Sequence, residues 1–78
     1  MLVEIFSKPA CPFCTRAEGL AQTRGFEYKK YMLDEDFTRE ELFEQFPGAR
    51  TFPQIRIDGE IVGGYNDFET WVLNNIGK

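Results

Sequence analysis

The feature that most restricts this chain is the run Lys8-Pro9-Ala10-Cys11-Pro12-Phe13-Cys14, which holds both cysteines, separated by two residues. An apolar stretch from Leu2 to Phe6 precedes it, and a helical pattern begins at Phe13. Between a strand and a helix, this spacing marks the dithiol redox motif of a βαβ unit. The placement has a physical consequence. A thiol at the first turn of a helix faces unpaired backbone N–H groups and the positive end of the aligned peptide dipoles. Both favour thiolate over thiol. Pro12 suits the first helical position, where its missing N–H costs nothing. Cys11 is then the exposed nucleophile, and Cys14, one turn deeper, is the resolving thiol.

The same pair would make a poor structural staple, because closing so short a loop contributes little entropic stabilisation. A secreted chain of 78 residues would usually carry four or more cysteines. The expected compartment is therefore the cytoplasm. Residues 1–78 are expected to form one domain, which at this size buries only about 60% of its unfolded surface. With 42% hydrophobic residues and eight Phe, its core should be rich in aromatic rings.

Other function classes fit less well. The N-terminal apolar run is interrupted by Glu4 and is far short of a signal segment or a membrane span. The formal charge is −4, with acids massed at Asp34-Glu35-Asp36 and at Glu40, Glu41 and Glu44. That balance argues against a nucleic-acid or anionic-membrane binder. The bases are placed differently. Lys8 and Arg16 flank the cysteines, and Arg50 stands just before Thr51-Phe52-Pro53. A locally cationic site on an acidic protein suits a small anionic substrate, although each base taken singly fits a solvated surface as well.

The remaining chain reads as alternating elements. Leu2 to Phe6 is a buried strand. Phe13, Ala17, Leu20 and Ala21 share one helix face, and Arg24-Gly25 closes that helix. Phe26 to Leu33 is a second strand, whose central Lys29 and Lys30 suggest a sheet edge. A right-handed crossover makes the two strands parallel. Thr38 with Glu41 forms a capping box for a short helix whose apolar stripe is Leu42, Phe43 and Phe46. Asp58-Gly59 joins the strands Gln54–Ile57 and Glu60–Val62 as a tight hairpin. Gly63-Gly64 breaks the latter strand. Asn66, with Glu69 three residues on, caps a last helix that turns Phe68, Trp71, Val72 and Ile76 inward. The element order is β-α-β-α-β-β-α, an α/β fold with a mixed sheet.

Taken together, Cys11-Pro12-Phe13-Cys14 after the first strand, Thr51-Phe52-Pro53 before the third, and Gly63-Gly64-Tyr65-Asn66-Asp67 after the fourth resemble the glutaredoxin family. The resemblance covers nearly the whole chain and is to the dithiol class. It implies the minimal thioredoxin fold, a four-stranded sheet of order 2-1-3-4 flanked by three helices. It also implies glutathione-dependent reduction of disulfides and of protein–glutathione mixed disulfides, with no tightly bound cofactor and glutathione as co-substrate. Two residues depart from the family pattern. Phe13 replaces the usual tyrosine, and Phe52 replaces a smaller valine.

What the resemblance implies for single residues is specific. Cys11 and Cys14 are the catalytic pair. Lys8 lies close enough to stabilise the nucleophile or to meet a glutathione carboxylate. Pro53 is expected in the cis form, so that the Phe52 backbone can pair with glutathione as a short antiparallel strand would. Thr51, Phe52 and Phe13 contribute to the same wall. Gly64, Tyr65 and Asn66 lead into a helix N-terminus suited to the γ-glutamyl carboxylate, and Asp67 can accept a hydrogen bond from the adjacent ammonium. Arg50 or Arg39 would meet the far carboxylate.

Lowering the pKa of Cys11 raises its thiolate fraction but lowers its intrinsic nucleophilicity by a similar factor. The net gain therefore comes when Cys11 is the leaving group. That favours an enzyme turned over by glutathione.

Other readings remain open at this point. One is a redoxin served by thioredoxin reductase that donates electrons to ribonucleotide reductase. Another is a glutathione-ligated iron–sulfur carrier. A structural zinc site wants four protein ligands, and the chain has two cysteines and no histidine. The expected partners are glutathione and disulfide-bearing or glutathionylated proteins, with the protein itself a monomer.

Overall fold

A computed structural model describes residues 1–75. The chain runs β1 (Leu2–Ser7), α1 (Pro12–Thr23), β2 (Glu27–Met32), α2 (Arg39–Gln45), β3 (Gln54–Ile57), β4 (Glu60–Gly63) and α3 (Tyr65–Asn75). The sheet order is β2-β1-β3-β4. β1 pairs parallel with β2, and β1–β3 and β3–β4 are antiparallel. This is the minimal thioredoxin fold that the sequence implied. β2 is an edge strand, as Lys29 and Lys30 suggested.

The two faces of the sheet carry separate cores. On one, Val3, Ile5, Ile55 and Ile57 pack against Ala17 and Ala21 of α1 and Phe68 and Val72 of α3. The alanines matter here, because small side chains let α1 lie close to the strands. Trp71 is half-buried and meets Phe26 edge-on, with ring centroids 6.1 Å apart. On the other face, Phe6, Leu33, Phe37, Leu42 and Phe46 form a second cluster. Phe6 is its centre, 5.2 Å from Phe37 and 5.0 Å from Phe46 by ring centroid.

That second face also holds an ion pair. The Arg56 guanidinium donates to Glu4 through Nε (2.7 Å) and Nη2 (3.1 Å), and Tyr31 Oη donates to the same carboxylate at 3.0 Å. Arg56 Nη1 also donates to Gln45 Oε1, while the guanidinium plane lies over the Phe6 ring at 5.3 Å. The hydrogen bond from Arg56 holds Glu4 below the ordinary carboxylate range, against an opposing effect of burial. Burial, followed by the hydrogen bond to Glu4, raises Tyr31.

Local signals decide the element ends. Thr38 Oγ1 accepts the Glu41 N–H (3.2 Å) and Glu41 Oε1 accepts the Thr38 N–H (2.9 Å), which is the expected capping box. Asp58 and Gly59 both have positive φ, 51° and 85°, as a two-residue hairpin requires.

Three details differ from the sequence reading. Phe13 is 49% exposed and leaves its place on the inner face of α1 to Cys14. Phe43 is 48% exposed and does not share the stripe of Leu42 and Phe46. Asn66 lies inside the first turn of α3 and does not cap it. The helix begins at Tyr65, two residues earlier than a cap at Asn66 would place it, and the residue that reaches back is Asp67, whose Oδ2 accepts the Gly64 N–H at 3.0 Å. Glu69 accepts a hydrogen bond from Tyr65 Oη. Ile76, expected on the inner face of α3, lies outside the described residues.

Candidate active site

Three loops converge at one end of the sheet, each set there by a strand end. β1 stops at Ser7, and Ala10 turns the chain with φ 56° so that Cys11 can cap α1. Cys11 has extended backbone angles, and its Sγ accepts the Cys14 N–H at 3.2 Å. Pro12 occupies the first turn, as its ring geometry favours. Cys11 and Cys14 are joined as a disulfide, with Cα atoms 5.3 Å apart. Cys11 is half-buried, whereas Cys14 is 4% exposed. Cys11 is therefore the more accessible of the two sulfur-bearing residues.

The second loop precedes β3. The Phe52–Pro53 peptide bond is cis. Pro53 is fully buried beneath the loop, so its side chain supports the site from behind and does not line it. Phe52 stacks on Phe37 at 6.4 Å, and the Lys8 ammonium lies 5.8 Å from its ring centroid. Phe52 thereby becomes a platform that holds a cation next to the cysteines, a cation–π geometry that a valine could not supply. Gln54, nearly buried, donates through Nε2 to the Thr51 carbonyl at 2.8 Å. The sequence reading missed Gln54, because a glutamine at a strand start carries no distinctive pattern.

The third loop is Gly63-Gly64. Gly63 has φ 123°, and a side chain on it would overlap the Asp67 carboxylate. A Cβ placed on Gly64 would lie 3.7 Å from the Pro53 carbonyl oxygen, which shows how closely the second and third loops approach. Tyr65 follows, its ring 5.8 Å from that of Phe13. Burial, then the neighbouring Glu69 carboxylate, raises the Tyr65 phenol above its ordinary value.

Two adjoining clefts result. One is lined by Lys8, Cys11, Phe13, Arg39, Arg50 and Thr51. The other runs past Phe13, Arg50, Thr51, Phe52 and Gly64 to Tyr65, Asn66 and Asp67. Phe13, Arg50, Thr51 and Phe52 border both, so the two are continuous. Of the residues assigned a catalytic or binding part in the sequence analysis, all but Cys14 and Pro53 line this groove. Arg16 does not join them and lies over the outer side of Phe13 at 5.3 Å.

Three cations, Lys8, Arg39 and Arg50, line the cleft that exposes Cys11, on a chain whose net charge is −4. The far end of the groove is the N-terminus of α3. Among the described residues, no group of three or more His, Cys, Asp or Glu could hold a metal ion. None of their helices is long and apolar enough to cross a membrane.

Comparison with known proteins agrees with this geometry. The glutaredoxin family model matches residues 3–62. A probable glutaredoxin of Synechocystis is 38% identical over 77 residues, covering 97% of this chain and 85% of its own. The structure of reduced Escherichia coli glutaredoxin superposes with a TM-score of 0.86 at 34% identity, covering the whole of both chains. A buckwheat glutaredoxin–glutathione complex superposes with a TM-score of 0.80 at 28% identity, covering 92% of this chain and 68% of that one. The cysteine pair, the loops that surround it and these relatives lead to one conclusion: the chain belongs to the glutaredoxin family of thiol–disulfide oxidoreductases.

Proposed function

We propose that the protein uses glutathione to reduce protein disulfides and protein–glutathione mixed disulfides. One observation carries the reading: a single groove runs from Cys11 to the N-terminus of α3, with cations at one end and helix amides at the other. Glutathione has matching parts, a thiol between two carboxylates. Lys8, Arg39 or Arg50 would meet the glycine carboxylate. The Tyr65 and Asn66 amides would meet the γ-glutamyl carboxylate, since the start of a helix favours an anion. Asp67 binds Gly64 through Oδ2, which leaves Oδ1 for the ammonium. The Phe52 backbone would pair with the cysteinyl unit between them, beside Thr51 and above the buried Pro53.

The chemistry is two successive thiol–disulfide exchanges. Cys11 thiolate attacks the protein–glutathione disulfide, forming a Cys11–glutathione bond and expelling the protein thiolate. A second glutathione thiolate then attacks the glutathione sulfur, and the electron pair of the broken bond leaves on Cys11. Cys11 leaves readily because the Cys14 N–H and the first turn of α1 stabilise its thiolate. With a protein disulfide as substrate, Cys14 instead attacks Cys11 in the mixed disulfide and closes the Cys11–Cys14 bond.

A coupled assay tests this, with a glutathione mixed disulfide, NADPH and glutathione reductase, on wild type and Cys14→Ser. Turnover in both supports the reading. Turnover of the wild type only with thioredoxin reductase in place of glutathione would overturn it.

A further inference from the structure

Ser7 is the last residue of β1, and its hydroxyl takes no part in the site described above. Along β1, Val3 and Ile5 pack against Ala17 and Ala21 of α1. Side chains two residues apart on a strand share a face, so Ser7 also faces α1, beneath the turn that carries Cys14. A third cleft, on the β2 side of the cysteines, is lined by Ser7, Lys8, Cys11, Cys14, Glu18 and Lys30 among others. Its charged groups are Lys8 and the Glu18–Lys30 pair at 3.6 Å.

Ser7 is 1% exposed, and among the described residues its Oγ is buried with no hydrogen-bond partner. Buried hydroxyls nearly always have one, and leaving one unmade costs free energy. The cleft that Ser7 lines also holds both cysteines, and the more deeply buried of the two is Cys14. In this structure Cys14 is held in the disulfide, where its sulfur is uncharged and a weak acceptor.

We propose that Ser7 is a positioning residue for Cys14, its hydroxyl donating a hydrogen bond to the Cys14 sulfur once the disulfide opens. The proposal rests on Cys11 being the sulfur that external thiols attack. An incoming thiolate bonds to Cys11 Sγ, the Cys11–Cys14 bond breaks, and its electron pair stays on Cys14 Sγ. That charge appears at a residue only 4% exposed, where water gives it little help. Ser7 lines the same cleft as Cys14, and a hydrogen bond from its hydroxyl to that sulfur would satisfy the orphan donor and the new thiolate together. A second thiolate then takes the outer sulfur of the mixed disulfide and releases Cys11. Two external thiols are thereby oxidised to one disulfide, and the protein gains two electrons. The hydroxyl thus favours the reduced protein in two ways, by a bond made there and by a want of one in the disulfide.

Two measurements test this, neither using glutathione, so its failure stays separate from failure of the glutathione reading. The first is the dithiol–disulfide equilibrium in dithiothreitol redox buffers, for wild type, Ser7→Ala and Ser7→Thr. Ser7→Ala is expected to shift the equilibrium toward the disulfide by roughly tenfold, about 30 mV in potential. The second is iodoacetamide alkylation of Cys14 against pH in a Cys11→Ser background. There Ser7→Ala is expected to move the midpoint up by about one pH unit. Ser7→Thr keeps the hydroxyl and should restore both readings, which a purely packing role would not require. Ser7→Gly deletes the same hydroxyl and serves should Ser7→Ala not fold. A folded variant lacking the hydroxyl, with both readings within about twofold of wild type, overturns the proposal.

Discussion

The backbone N–H of Cys14 lies 3.2 Å from the sulfur of Cys11 and points at it. One residue thus supplies both the buried sulfur of the pair and a donor to the more accessible one. The spacing of two makes this possible, because a residue at the cap position is one helical turn from the amide that bonds back to it.

The first prediction concerns the division of labour between the sulfurs. Cys14→Ser is expected to retain reduction of glutathione mixed disulfides at a rate within several-fold of wild type and to lose reduction of protein disulfides. Cys11→Ser is expected to lose both. Equal loss of both activities in the two variants would contradict the assignment.

A second prediction follows from the Cys14 N–H bond and the dipole of α1. Alkylation of Cys11 by iodoacetamide in the reduced protein should have its midpoint well below that of free cysteine, about pH 8.5. A midpoint at the free-cysteine value would remove the basis for Cys11 as a good leaving group.

Asp67 separates two roles by substitution. Asp67→Asn keeps an oxygen that can accept the Gly64 N–H but loses the charge offered to an ammonium. Its unfolding midpoint should stay near wild type while KM for a glutathione mixed disulfide rises roughly tenfold, about 1.4 kcal/mol. Asp67→Ala should show the same rise and lose about 1 kcal/mol of stability besides. An Asn variant with unchanged KM would rule out the ammonium contact.

The pair of Glu4 and Arg56 should make stability depend on acid. Arg56 holds the folded-state Glu4 carboxylate below its ordinary range, so at mildly acidic pH the unfolded chain binds a proton that the folded protein does not. Stability from the pair is therefore fully present above about pH 4.5, the ordinary value, and is lost as the pH falls through the lowered one. Both side chains are largely buried, 13% and 23% exposed. Glu4→Gln should then cost about 1–2 kcal/mol at pH 7 and flatten the acid limb of a denaturation series. Parallel acid limbs in variant and wild type would show that other groups govern it.

Much of the fold was legible because its signals are local. The apolar run before Cys11, the Thr38–Glu41 capping box and the Asp58-Gly59 turn each act within a few residues. Their order forces a parallel first pair and an antiparallel last pair of strands. The positions of Phe13 and Phe43 were misread for one reason. Helical spacing places a side chain on a face, but only the neighbouring elements decide which part of that face is covered. Cys14 took the buried position beside the sheet, and Phe13 was left to meet Tyr65.

The amino-acid sequence by itself determined the element order, the redox pair and which cysteine stands at the helix start, because backbone sterics, capping and hydrophobic period act along the chain. Only the tertiary structure decided what surrounds that pair. Lys8 over Phe52, Asp67 on Gly64 and Gln54 beneath Thr51 all join parts of the site by contacts between separate segments or turns. Whether such contacts form depends on how closely helices and loops approach the sheet, and the side chains between them set that distance.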